Sequence, residues 1–69
     1  MEIPRRVGLN IKSARTAKGW SQEELADQSG LHRTYISGLE RSIRNPTVTV
    51  LKRLADALGM TASSLLDGV

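Results

Sequence analysis

The stretch Gln22-Glu-Glu-Leu-Ala-Asp-Gln-Ser-Gly-Leu-His-Arg-Thr-Tyr-Ile-Ser-Gly-Leu-Glu40 decides the fold, because its small, apolar and turn residues fall where two helices crossing over a tight corner need them. Ala26 is small enough to let a second helix approach the first, and Gly30 supplies the left-handed backbone that such a turn requires. Leu31, Ile36 and Leu39 turn inward to meet Leu25 and Ala26, which leaves His32, Arg33, Thr34, Ser37, Gly38 and Arg41 on the outward face. The expected motif is a helix-turn-helix over residues 22–41. A helix held on one side and offering short polar groups and arginine on the other suits the major groove of duplex DNA.

Working outward, the chain reads as five short helices joined by brief loops, an all-α domain over residues 1–69. A first helix is expected from about residue 4 to 18, with Pro4 in its first turn, Gly19 beyond its end, and Val7, Ile11 and Ala14 at helical spacing. Trp20 packs where the chain leaves this helix. Ser21-Gln22-Glu23-Glu24 is a capping box, so helix two begins at Gln22 and ends near Ser29, with Gly30 as its terminator. Helix three runs from His32 or Arg33 to Glu40 or Arg41, and His32 is an unusual cap. A polar loop, 41–46, closes at Asn45-Pro46, because the residue before a proline is pushed out of helical geometry. Thr47 then caps helix four, whose inward stripe is Val48, Leu51, Leu54, Ala55 and Leu58 and whose stop is Gly59. Thr61 caps a last helix through about residue 67.

Composition narrows the function classes. With 69 residues and no cysteine, neither disulfides nor a thiolate metal site supplement the core, and a reducing cytoplasm is the expected compartment. No apolar run approaches the roughly 20 residues a membrane span needs, and the N-terminal residues lack the apolar centre of a secretory signal. The net charge of +3 fits a polyanionic partner, and its distribution matters more than its total. From 32 to 53, Arg33, Arg41, Arg44, Lys52 and Arg53 stand against Glu40 alone, whereas Glu23, Glu24 and Asp27 group in the preceding helix. Two aromatic residues, Trp20 and Tyr35, are too few for a base-stacking platform on single strands.

At residue level, Arg33 is the main candidate for reading a base edge, since a guanidinium bonds guanine O6 and N7 together; a phosphate clamp is the alternative. Thr34 and Ser37 are further base-edge candidates. Gly38, which costs about 1 kcal/mol in helix propensity relative to alanine, would let the helix sit deep in the groove, or is merely a tolerated flaw. Gln22, Tyr35, Arg41, Ser42, Arg44 and Asn45 are the candidates for phosphate contacts that set register. Tyr35 packing on helix two is the competing role for that side chain. One short helix covers few base pairs, so a homodimer on half-sites about 34 Å apart is expected. Its surface would draw on Val50, Leu65, Leu66 and Val69, although Leu65 suits the core better and Leu66 suits either place.

The runs Gly19-Trp-Ser-Gln-Glu-Glu-Leu-Ala26, Tyr35-Ile-Ser-Gly-Leu-Glu40, Asn45-Pro46 and Leu54-Ala-Asp-Ala-Leu-Gly59 resemble the Cro and phage-repressor (Xre-like) helix-turn-helix family. Arg33-Thr-Tyr-Ile-Ser-Gly-Leu-Glu-Arg41 looks especially like the recognition helix of controller proteins from restriction-modification systems. The resemblance implies a five-helix domain that binds palindromic operators as a dimer, with helix three in the major groove. It also implies an internal salt bridge between Arg15 and Glu40, a sensible arrangement because an outward carboxylate there would oppose phosphates. Two positions depart from the pattern: Ala14 stands where a larger apolar residue is common, and His32 where serine or aspartate is. The core at Ala14 is then either looser or filled by Trp20.

The leading functional expectation is a sequence-specific transcriptional regulator that blocks or recruits RNA polymerase. The alternative is a protein-interaction module, an antitoxin or adaptor, on the same fold. An enzyme is disfavoured, because the sole histidine, His32, has no neighbouring nucleophile, and no cofactor or metal is expected.

Overall fold

A computed structural model of the protein describes residues 3–68. Five helices follow one another: α1 (Ile3–Ala17), α2 (Gln22–Ser29), α3 (Arg33–Glu40), α4 (Val48–Leu58) and α5 (Ala62–Leu65). No strand is present among the described residues.

Hydroxyl side chains start three of the helices. Ser21 Oγ accepts from the Glu24 amide, Thr47 Oγ1 from the Val50 amide and Thr61 Oγ1 from the Ser64 amide. His32 heads α3 without a side-chain cap. The capping box at Ser21 is half formed, because the Glu24 carboxylate accepts from Gln28 Nε2 at 2.8 Å, one turn ahead, instead of reaching back. Gly30 terminates α2 at φ 74°, as the corner requires.

The core is assembled from every helix: Val7 and Ile11 of α1, Leu25 and Ala26 of α2, Ile36 and Leu39 of α3, Leu51, Leu54, Ala55 and Leu58 of α4, and Leu65 of α5. Ala14 and Trp20 both pack partly buried against it. The Trp20 ring also carries Lys18 Nζ at 5.0 Å from its centroid. Val48 departs from the expected stripe: it opens α4 beyond the edge of the core and is 82% exposed.

Two seams position the rest. A Cβ on Gly8 would collide with the Leu39 carbonyl oxygen, so α1 and α3 meet backbone to backbone. The last helix stops earlier than its sequence suggests. Beyond Leu65 the chain tightens, with the Leu66 amide on Ser63 O and the Asp67 amide on Ser64 O. Asn10 Nδ2 of α1 then donates to the carbonyls of Leu65 and Asp67 at 2.8 and 2.9 Å, and Arg6 Nε donates to Asp67 O at 3.1 Å.

Candidate nucleic-acid interface

The helix α3 lies across α1 and α2 and is fixed by Ile36 and Leu39, at 0% and 1% exposure. Of residues 33–46, Glu40 is the one acid. Its carboxylate points inward, where Arg15 Nε donates to Oε2 at 2.8 Å and Arg15 Nη2 to Oε1 at 2.9 Å. Gln22 Nε2 adds a third bond to Oε1 at 3.1 Å, and Arg15 Nη1 donates to the Trp20 carbonyl at 2.7 Å. The hydrogen bond to Glu40 raises the basicity of Arg15 above its ordinary value, burial works against it, and the carboxylate's charge adds to it. Every side-chain nitrogen and oxygen of the pair is hydrogen-bonded.

The outward side carries the opposite character. His32, Arg33 and Thr34 at the start of α3, and Arg41, Arg44 and Asn45 after its end, are exposed. Tyr35 and Ser37 are half-buried beside them. This rim is cationic because its single acid has been withdrawn into the helix junction.

Gly38 does not lie open on this rim as expected. It is buried, because the loop after α3 doubles back over it. The amides of Ile43 and Arg44 both donate to the Gly38 carbonyl, at 2.9 and 3.4 Å, and the Arg44 side chain runs across the glycine. Helical spacing groups Gly38 with Arg33, Thr34 and Ser37, but it carries no information about a returning loop. Ser42 makes that return with φ 63°, a left-handed backbone unusual for a residue with a Cβ. Gln22 reaches the edge of the site with one amide hydrogen already given to Glu40.

Among the candidates for a dimer surface, Leu65 is fully buried and closes the core, so it is unavailable to a partner. Val50 packs partly buried against the core, Leu66 is 37% exposed, and Val69 lies outside the described residues. Leu9 and Ile43 are exposed apolar side chains that no sequence pattern singled out. Among the described residues no group of three or more His, Cys, Asp or Glu side chains could hold a metal ion, and no helix is long and apolar enough to cross a membrane.

Comparison with known proteins is consistent with this geometry. The family profile HTH_3, described as Helix-turn-helix, matches residues 11–65. A hypothetical transcription factor from Neisseria meningitidis serogroup B is 49% identical over 60 residues, covering 87% of this chain and 57% of that protein. The chain thus spans little more than half of that relative. The crystal structure of the restriction-modification controller protein C.AhdI from Aeromonas hydrophila superposes with a TM-score of 0.87 at 42% identity, over 90% of this chain and 94% of that one. SinR, a master regulator for biofilm formation crystallised in complex with DNA, gives a TM-score of 0.85 at 35% identity, over 88% and 98% of the two chains.

Proposed function

The chain belongs to the HTH_3 helix-turn-helix family, and from that premise we propose that it is a sequence-specific transcriptional regulator that binds double-stranded DNA through α3. It occupies a palindromic operator as a homodimer and blocks or recruits RNA polymerase from there, in the cytoplasm. The observation that carries this reading is the inward Glu40: with that carboxylate held by Arg15, the face formed by α3 and the following loop turns arginines and hydrogen-bonding groups, and no carboxylate, toward phosphates. The SinR relative crystallised with DNA supports the same reading.

Within it, Arg33, Thr34 and Ser37 read base edges, with Arg33 bidentate to guanine. Tyr35, Arg41, Ser42, Arg44 and Asn45 hold the backbone, and Gln22 contributes its remaining N–H beside the amides that open α2. Gly38 has no place among the reading residues, because Arg44 lies over it. Two copies on neighbouring half-sites supply the specificity that one short helix lacks. Val50 and Leu66 are the candidates left for the contact between copies.

Selection of bound duplexes from a randomised pool tests this. Enrichment of an inverted repeat supports it. A pool that stays random while the protein remains folded contradicts it and favours a protein-binding role for the same face.

A further inference from the structure

The side chain of Arg44 is exposed, yet it is held against α3 at two places. The loop return described above lays its stem along α3. A Cβ on Gly38 would stand 3.2 Å from Arg44 Cδ, 3.3 Å from Cγ and 3.4 Å from Nε, closer than such contacts ordinarily come. The guanidinium then ends over the Tyr35 ring, 5.6 Å from its centroid. Tyr35 and Gly38 are three residues apart on one helix, so they are neighbours on a single face. The ring attracts the charge through its negative face, while the missing Cβ leaves a channel for the methylenes.

We infer that Gly38 is a seat for Arg44, and that Tyr35, Gly38 and Arg44 form one preassembled cationic element that meets the phosphodiester backbone with the guanidinium already oriented. The inference rests on the DNA-binding reading above and adds a positioning role for a residue that touches no DNA. An unrestrained arginine loses rotamer freedom when it engages a phosphate, and a seated one has lost much of it beforehand. The seat also accounts for a glycine in mid-helix. Alanine would strengthen α3 but crowd the Arg44 stem.

Two measurements on the full chain test it. In the free protein, NMR should find the Arg44 δ-methylene protons moved upfield by the Tyr35 ring, with the displacement removed in Tyr35→Leu and reduced in Gly38→Ala. Unfolded-chain shifts for those protons in the wild type would overturn the seat without reference to DNA. The second measurement is affinity for a fixed mixed-sequence duplex at low ionic strength. Gly38→Ala should raise the thermal midpoint yet weaken binding about threefold, and that loss should disappear in an Arg44→Ala background. An equal loss in both backgrounds would overturn the coupling, because a general effect on the helix does not depend on Arg44. A wild-type protein that bound no duplex would overturn the proposed function and the DNA role of the seat together, while the ring-current shift would still report the seat itself.

Discussion

Arg15 and Glu40 join the first and third helices through two parallel hydrogen bonds, 2.8 and 2.9 Å long, with side chains 11% and 4% exposed. This pair both locks α3 in place and removes the only acid from its outward face. Breaking it from one side leaves a buried charge without its partner. Glu40→Ala should therefore lose about 3–5 kcal/mol in urea denaturation, whereas the double change Arg15→Met with Glu40→Leu should lose far less than the two single changes summed. A loss below about 1 kcal/mol for Glu40→Ala would mean that the pair is not buried as described.

Glycine at position 8 has a different task from glycine at position 38. Alanine gains about 1 kcal/mol of helix propensity at either site. At Gly8, however, the added methyl meets the Leu39 backbone carbonyl, which cannot step aside, and overpacking of that kind costs about 1–3 kcal/mol. At Gly38 it meets a flexible arginine. Thermal unfolding should show Gly8→Ala destabilised and Gly38→Ala stabilised. A stabilised Gly8→Ala would contradict the tight approach of α1 and α3.

Ser42 holds φ 63°, where a residue with a Cβ bears about 1–2 kcal/mol of strain. Glycine relieves that strain but frees the unfolded chain by about 0.4–1 kcal/mol. Ser42→Gly should thus raise stability by up to about 1.6 kcal/mol in denaturant titration. A clear decrease would show that the Ser42 side chain contributes more than the backbone geometry suggests.

The roles proposed for Arg33 and Arg44 separate in DNA binding. Arg33→Ala should cost about 1–3 kcal/mol on the selected operator and much less on a scrambled duplex, which removes the preference between them. Arg44→Ala should weaken both alike and lower the slope of log affinity against log salt by about 1. Competition binding at several salt concentrations measures both. Equal losses on the two duplexes for Arg33→Ala would make it a phosphate contact.

Most of the architecture was legible because it depends on local signals: the Ser21, Thr47 and Thr61 caps, the Gly30 and Gly59 stops and the apolar spacing each act within a few residues. What escaped depends on contacts between distant segments. Periodicity places Gly38 on the rim because it describes a helix alone, and the loop that returns over it leaves no mark in that spacing. Asn10 capturing the end of α5, and Gly8 admitting Leu39, are equally invisible before the helices are docked. Val48 fits the apolar stripe of α4, yet a stripe does not say where the core ends. The sequence rightly favours the core for Leu65, whereas Leu66, which it leaves open, is 37% exposed once α5 packs on α4 and α1.

The central claim is that the outward face of α3 and the loop behind it meet duplex DNA. Backbone amide NMR of the labelled protein titrated with the selected duplex tests it most directly. The largest shifts should fall on residues 32–37, the loop 41–45 and the start of α2 at Gln22, with the buried α4 positions Leu54 and Ala55 little changed. Shifts concentrated instead on the exposed side of α1 and around Leu66, with residues 32–45 unmoved, would contradict it.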